Sequence, residues 1–549
     1  MPHTPGADQA FAEAAATHLA CLYEAEPVMA SAMGIRAYDD RLPNRSSFAL
    51  EDRLRRERAF LHAIDQISLA ELSPESRIDY RAARAGTQKA ILTAEHLRPY
   101  RTQPGIYIRE LFQAIHPLLE RNTGSPETRG AAMLARLRGF GAHLAAAREN
   151  LDPSPPALLH SAIELAEAAA RWVARTVPAF AAGLRAPGLQ RSLQAEAIQA
   201  AGQMASFAAW LRTEAPASTD STATAGVEVL DYTLRVAHLL DEDSQQLLAH
   251  AREEMAHARE DLAMLAGRLE HGSSWQDVAA SLRTTAAPAS DLRAAWHAAV
   301  RSAREFVAAR DLVNLPAPDS LQIVEVRPED GALLPMGRTE PPPPFGESRP
   351  ALLRIPSPDA RRSAGSPAGA PCWSEHEIGV AAVREAWPGR ALQALAASRL
   401  ESRVRRHFAD SPLLSEGWTA WSEELVRQEG RFADPRAALF QAHSRLLRAC
   451  KAVVDLELHR GGMSPEEAVA LLRDGAGLPD RVARAEASRC LAAPTDLAAE
   501  LAGFRQIARL RDDVERARGA RFRLRDFHDE LLAVGAVPPR LLRDVLLSV

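Results

Sequence analysis

Cysteine, lysine and aromatic side chains are scarce in this sequence. Four cysteines occur in 549 residues and none forms a CxxC pair, so neither a zinc knuckle nor a disulfide framework is indicated. The two lysines are Lys89 and Lys451, and nearly all of the positive charge is arginine. Aromatic residues make up 5% of the chain, whereas alanine, leucine, arginine and glutamate are abundant, which favours helix.

Several signatures of known chemistry are also absent. The sequence has no G-x-S-x-G, no phosphate-binding loop and no G-x-G-x-x-G. A net charge of −5 gives no electrostatic reason to expect a nucleic-acid partner. No apolar run approaches the roughly 20 residues that cross a bilayer, and the N-terminus lacks a basic, apolar leader. We therefore predict a cytoplasmic protein with no membrane partner.

Helical periodicity dominates the chain, and we predict a mainly α fold. Proline-rich stretches and the alternating residues 320–328 predict a small β and loop insertion at 311–373. The insertion separates an N-terminal helical half, 1–310, from a C-terminal helical half, 374–549, within one continuous domain. The predicted helices of the first half are 46–67, 74–97, 128–150, 157–184, 189–213 and one from Asp243 or Ser244 to Gly272, with a linker at 215–226.

Five segments, in chain order, carry a family resemblance. They are EPVMASAMGIRAYDDRLPN, EAWPGRALQ, EGWTAWSEELVRQEG, VVDLELHRGGMSPEEAVALL and FRLRDFHDELLAVGAVPPRLL. Together they resemble the bacterial family of unknown function DUF885, whose fold is similar to zinc metallopeptidases of the carboxypeptidase Taq type. The second segment, with the residue before it, is similar to the family motif H-E-x-x-P-G-H-H-L-Q. The resemblance implies a large metallopeptidase-like helical domain with a central cleft between its two halves.

The second segment decides which chemistry the resemblance implies. A catalytic zinc usually has three protein ligands and a water in its open position, and a nearby carboxylate takes the proton of that water. Glu385 matches this carboxylate, whereas the motif histidines fall on Arg384, Arg390 and Ala391. A guanidinium stays protonated and has no lone pair to offer. This departure from the family motif therefore predicts that no metal and no cofactor is held at these positions.

The third segment supplies further carboxylates. Glu416 matches the likely downstream zinc ligand of the family, and Glu423 follows on the same predicted helix face. Two arginines carry the same +2 charge as a zinc ion with two neutral histidines. We therefore predict that Arg384 and Arg390 pair with Glu385, Glu416 or Glu423, because a buried charge needs a partner of opposite sign.

Four more side chains are candidate site residues, each with a structural alternative. Trp418 and Trp421 are candidate ligand contacts, or aromatic residues packed inward from the same helix. His459 is a candidate site residue, or a histidine held by Asp455 one turn earlier. His528 is a candidate catalytic residue, or a core histidine.

Two hypotheses about function follow from these residues. The first is a degenerate, zinc-free pseudoenzyme that binds a small peptide-like, amino-acid-derived or other carboxylate-bearing ligand, or a partner protein, without hydrolysing it. Arg384 and Arg390 would then meet the ligand carboxylate. The second is a repurposed enzyme that uses Glu385 as an acid or base, with the arginines as electrostatic stabilisers.

A third hypothesis is a metallohydrolase whose zinc ligands come from elsewhere. His376, His459 and Glu416 are the candidates for such a relocated site. Cys372 lies near His376, but sequence proximity is weak evidence for a Cys–His pair. Glu500 falls where the family has a tyrosine before a glycine. The sequence leaves the ligand and the oligomeric state open.

Overall fold

The computed structural model describes residues 5–121, 124–218, 224–284, 292–327, 330–334, 337–346, 349–357 and 373–547. The predicted mainly α fold is confirmed, since 74% of the structure is helical and a small three-stranded sheet accompanies the helices. Two compact units are present. The first is Met1–Ala223 with Glu329–Leu334 and Phe345–Glu347, and the second is Thr224–Pro328, Pro335–Pro344 and Ser348–Val549. The three-part division at residues 310 and 373 stays a prediction.

The described part of the first unit is built mainly from α-helices. They are α1 (Pro5–Ala25), α2 (Pro27–Ala32), α3 (Ser47–Asp65), α4 (Pro74–Leu92), α5 (Pro99–Thr102), α6 (Gly105–Glu120), α7 (Pro126–Arg138), α8 (Phe140–Asn150), α9 (Pro156–Ala181) and α10 (Pro187–Thr213). Serine residues begin several of them. The Ser73 hydroxyl accepts from the Ser76 amide at the start of α4, and Pro74 follows at the first helical position, where no amide is missed.

One predicted helix of this unit is two helices. The sequence predicted a continuous helix over 128–150, but the chain breaks at Gly139 between α7 and α8. A Cβ atom on Gly139 would lie 2.8 Å from Cδ1 of Leu42, so the packing of a distant leucine selects glycine there.

The second unit contains the remaining described helices and the sheet. Before the sheet come α11 (Val227–Tyr232), α12 (Ser244–Leu269), α13 (Trp275–Thr284) and α14 (Leu292–Ala309). The strands are β1 (Leu321–Val326), β2 (Arg338–Glu340) and β3 (Ala351–Pro356). After them come α15 (Glu375–Glu385), α16 (Arg390–Ser398), α17 (Arg403–Phe408), α18 (Pro412–Gln428), α19 (Pro435–Arg460), α20 (Pro465–Ala470), α21 (Asp480–Ala492), α22 (Ala499–Arg518), α23 (Leu524–Val534) and α24 (Pro539–Leu546).

The sheet has the order β1-β3-β2. Strand β3 pairs in parallel with β1 and antiparallel with β2, and the predicted strand at 320–328 is β1. Leu353 and Ile355 of β3 pack into a core with Trp296 of α14 and Ile378 of α15. This packing fixes β2, on the other edge of β3, beside the end of α15.

Helices α18 and α22 cross with their backbones in contact, and two glycines make this possible. A Cβ atom on Gly503 would lie 1.8 Å from the carbonyl oxygen of Leu413, and one on Gly417 would lie 2.5 Å from the carbonyl carbon of Gly503. No larger residue fits at either position. The crossing brings Glu500, in the first turn of α22, close to α18.

In the described part of the chain, no helix is both long enough and apolar enough to span a bilayer.

Candidate functional site

The turn between α15 and α16 places the motif residues. The Ser374 hydroxyl accepts from the Glu377 amide and begins α15. That helix ends at Glu385, and α16 begins at Arg390 after a turn that contains a cis Trp387–Pro388 bond. A Cβ atom on Gly389 would lie 1.9 Å from the carbonyl oxygen of Arg384, so this tight return requires glycine. Arg384, Glu385 and Arg390 therefore lie together where the two helices meet.

The first set of charges, here named the Arg390 quartet, consists of Arg390, Glu385, Glu416 and Arg338. Arg390 donates from Nε to Oε2 of Glu385 at 2.9 Å, and from Nη1 and Nη2 to the two oxygens of Glu416 at 2.9 and 2.6 Å. Arg338 of β2 donates to Oε1 of Glu416 at 2.8 Å. The Thr339 amide donates to Oε2 of Glu385 at 2.9 Å, so the sheet orients this carboxylate.

The second set, the Arg384 quartet, consists of Arg384, Glu423, Arg448 and Glu500. Nη1 of Arg384 donates to Oε1 of Glu423 at 2.9 Å and to Oε1 of Glu500 at 2.7 Å. Arg448 of α19 donates to Oε2 of Glu423 at 3.4 Å and lies 3.6 Å from Glu500. The Ser444 hydroxyl donates to Oε1 of Glu423 at 2.9 Å. Each glutamate thus contacts both arginines.

Formal charge balances within each quartet, with two arginines against two glutamates. Burial alone would raise the pKa of Glu416, but the charge and hydrogen bonds of Arg390, with the charge of Arg338, hold it well below its ordinary value. Burial would likewise raise the pKa of Glu500, but the charges of Arg384 and Arg448, together with the hydrogen bond from Arg384, outweigh burial and lower the pKa. These shifts show that the arginine–glutamate pairing dominates the electrostatics of the site.

Three members of the quartets combine dense surroundings with partial exposure. Arg384, Glu416 and Glu500 are enclosed by protein on nearly all sides. Even so, 21%, 18% and 13% of their side-chain surfaces stay accessible to water. Arg338 is 42% exposed. The quartets therefore keep a partly exposed surface, here named the quartet surface, which is formed by residues of the second unit.

The residues at the motif positions do not fit a zinc centre. Arg384 and Arg390 offer only hydrogen-bond donors. The matched carboxylate, Glu416, already accepts N–H donors on both oxygens, so a metal ion there would have to displace Arg390 and Arg338. The predicted pairing of the two motif arginines with Glu385, Glu416 and Glu423 is present in the structure. The catalytic role suggested for these glutamates stays a prediction.

The two tryptophans of α18 are buried in the core. Trp418 donates from Nε1 to the carbonyl oxygen of Pro388 at 2.8 Å and so anchors the turn between α15 and α16. Trp421 donates to Nε2 of His528 at 2.9 Å, and Nδ1 of His528 faces the carbonyl oxygen of Leu312 at 2.7 Å. His528 is therefore neutral with its proton on Nδ1, and burial lowers its pKa to about 4. This geometry favours the core-packing alternative for all three side chains over ligand contact or catalysis.

His459 belongs to a different buried group, with Asp455 and Cys490. These are zinc-type residues whose ligand atoms lie within 4.8 Å of one another. However, Asp455 accepts from the amides of Thr495, Leu497 and Ala498, and Nδ1 of His459 accepts from the Ala225 amide at 3.2 Å. Nε2 of His459 faces the carbonyl oxygen of Cys490 at 3.0 Å. Backbone groups therefore satisfy the side chains of Asp455 and His459. They orient His459 more directly than Asp455 does, because Oδ1 of Asp455 lies 4.0 Å from Nε2 of His459.

The relocated zinc ligands considered from the sequence do not gather within the described ranges. His376 contacts Glu375 at 3.6 Å, His459 lies in the group above, and Glu416 is paired with Arg390. Cys372 lies outside the described residues.

Three site residues were not recognised as partners from the sequence. Arg338 and Arg448 lie outside the five motif segments. Glu500 stands out in the sequence only because it falls where the family has a tyrosine. That departure was the available signal, because a new carboxylate appears together with a new arginine at 384.

The fold and the site define a mainly α protein whose second unit is built around a charge-balanced arginine–glutamate network. Residues 27–546 match the family described as "Bacterial protein of unknown function (DUF885)". The chain belongs to this family, which confirms the family resemblance seen in the sequence.

Two solved structures share the fold over the whole chain. One is a candidate lipoprotein of unknown function from Shewanella oneidensis, with a TM-score of 0.78, 19% identity, and coverage of 98% of this chain and 99% of that one. The other is a candidate lipoprotein from Colwellia psychrerythraea, with a TM-score of 0.81, 16% identity, and coverage of 98% of both chains. At these identities the similarity establishes the fold alone. Among curated proteins, none matches the chain significantly.

Proposed function

We propose that this chain is a zinc-free, metallopeptidase-like protein that binds a small peptide-like or carboxylate-bearing ligand without hydrolysing it. One observation carries the proposal. Guanidinium groups stand at the positions that match the motif histidines, and they pair with the carboxylates that match the base and the downstream ligand. Without imidazole lone pairs these positions cannot hold the metal that would activate water.

The partly exposed quartet surface supports a binding role. Arg390 donates from all three of its nitrogens to glutamates, and Arg384 donates from Nη1 to two of them. The sequence-based expectation that both meet a ligand carboxylate is therefore less favoured than contact with the more exposed Arg338. A cytoplasmic location also remains a prediction.

A repurposed enzyme is the second candidate, and one observation favours it. Both donors that orient Glu385, the Thr339 amide and Nε of Arg390, reach Oε2. Within the described ranges no donor reaches Oε1, so this oxygen is open to exchange a proton with a ligand. Loss of turnover in Glu385→Gln, once a substrate is found, would favour this candidate over simple binding.

A zinc-reconstitution experiment tests the primary proposal. Wild-type protein, dialysed after exposure to equimolar zinc, should retain less than about 0.1 zinc ion per chain. The triple variant Arg384→His, Arg390→His, Ala391→His restores the motif and leaves the carboxylates unbalanced, so it should retain about one zinc ion and gain thermal stability with zinc.

The matched control adds Glu416→Ala to the triple variant and should lose that zinc. Circular dichroism confirms that each variant is folded. Near-stoichiometric zinc in the wild type that disappears on Glu416→Gln, together with peptide hydrolysis, would overturn the proposal.

A further inference from the structure

The hydrogen-bond inventory of the quartets leaves specific atoms open. Glu416 and Glu423 accept donors on both oxygens. Glu500 accepts donors only on Oε1, so its Oε2 has no donor among the described residues, and this side chain keeps 13% of its surface accessible. An open carboxylate oxygen on the quartet surface is an acceptor for a ligand N–H group.

The arginines of the quartets also leave open donors. Arg338 uses one of its nitrogens, Nη2, on Glu416, and its remaining N–H groups have no acceptor within the described part of the chain. Arg384 uses only Nη1 and is 21% exposed. A guanidinium with an open edge suits a carboxylate, which it can bind through two parallel hydrogen bonds.

The open groups of opposite sign belong to one electrostatic unit. Arg384 bonds Glu500 directly and also feels the charge of Glu385, while Glu416, the partner of Arg338, feels Arg384 and acts on Glu500. Because the quartets are neutral overall, a ligand with net charge would disturb a balanced site. A ligand that carries both signs would not.

We infer that the quartet surface recognises a zwitterionic ligand, an α-amino acid or a very short peptide, with its carboxylate on Arg338 and its ammonium group on Glu500. This inference rests on the proposed binding function and adds the charge pattern of the ligand and the residue that reads each end. Arg338 is the anchor because it is the most exposed cation of the quartets and its loss leaves Arg390 in place on Glu416.

Isothermal titration and thermal shift with defined probes test this. The probes are free amino acids and dipeptides, their deaminated carboxylic acids, their decarboxylated amines, and succinate, each up to 10 mM. At least one zwitterion should raise the melting temperature of wild-type protein and bind at least tenfold more tightly than its deaminated and decarboxylated analogues.

The variants separate recognition from folding. Arg338→Gln should weaken the bound zwitterion at least tenfold. Arg338→Lys, which keeps the charge but not the two parallel hydrogen bonds, should restore only part of the affinity. Arg481→Gln, an exposed arginine of α21, should change nothing. Glu500→Gln should bring the affinities of the zwitterion and its deaminated analogue within about threefold of each other. A merely structural role of Glu500 would weaken both equally.

Several results would overturn the inference. They are an unchanged affinity in Arg338→Gln, equal binding of an amino acid and its deaminated analogue to wild-type protein, or binding of none of the zwitterions. If the wild type holds no zinc and binds a purely anionic probe instead, the proposed function stands and the zwitterion inference alone fails.

Discussion

The Arg384 quartet gives the sharpest prediction about stability. Glu423 is fully buried and accepts hydrogen bonds from Arg384, Arg448 and Ser444. Glu423→Gln preserves shape but leaves two arginines facing Glu500 alone. Removing one partner of a buried ion pair costs about 3–5 kcal/mol, because the remaining charge stays desolvated and uncompensated.

Thermal unfolding followed by circular dichroism measures this cost. At about 2.1 cal/mol/K of unfolding entropy per residue, a loss of that size lowers the melting temperature by roughly 3–4 °C if the whole chain unfolds together. The shift is larger if the second unit unfolds separately. The matched control is Glu515→Gln on α22, whose side chain is 51% exposed, and it should shift the melting temperature by less than about 1 °C.

A double variant tests the reasoning behind the number. Arg448→Met combined with Glu423→Gln removes one charge of each sign and leaves Arg384 with Glu500. If charge balance is the cause, the pair should recover at least half of the stability that Glu423→Gln loses. A shift in Glu423→Gln no larger than in Glu515→Gln, or strictly additive losses in the double variant, would refute the account.

Three further predictions concern other parts of the second unit. Burial opposes the low pKa of Glu416, but Arg390 and Arg338 hold it below its ordinary 4.5. The stabilisation that the ionised carboxylate gives the folded protein is therefore complete above about pH 5 and is lost in acid. In urea titrations, the difference in unfolding free energy between wild type and Glu416→Gln should narrow from pH 6 to pH 3. Burial lowers the pKa of His528 from 6.5 to about 4. Between pH 7 and pH 5 the unfolding free energy of wild-type protein should therefore fall by about 2 kcal/mol relative to that of His528→Gln. Equal pH profiles of the two proteins would contradict this. Gly503→Ala should destabilise by about 1–3 kcal/mol, whereas Gly267→Ala in α12, with open space around it, should stabilise by about 0.4–1 kcal/mol.

Local sequence signals predicted the local structure well. Capping and turn residues act within a few positions, so the predicted start of α12 at Asp243 or Ser244 is observed, with Asp243 and Gln246 forming a capping box. The break at Gly139 was missed, and a Cβ atom at this glycine would meet Leu42, almost 100 residues away. Periodicity is blind to such contacts.

The candidate site shows the same limit. Arg384, Arg390 and Glu416 were found through motif positions, and their pairing followed from the need of buried charges for partners. Arg448 and Glu500 could not be found that way, because helix packing brings them in from α19 and α22. The motifs made His459, Trp418 and Trp421 candidate site residues beside their structural alternatives. Their partners in the structure are backbone carbonyls and amides and, for Trp421, the ring of His528.

The backbone contact between Gly417 and Gly503 has an evolutionary consequence. It fixes position 500 against α18, the helix that also carries Glu423, so these two carboxylates cannot drift apart to absorb a change at a neighbouring position. An ancestor that exchanged histidine for arginine at 384 would have left Arg384 and Arg448 facing Glu423 alone until an acid arrived at 500. Relatives with histidine at 384 should therefore keep an uncharged residue at 500, and arginine and glutamate should be inherited as a pair.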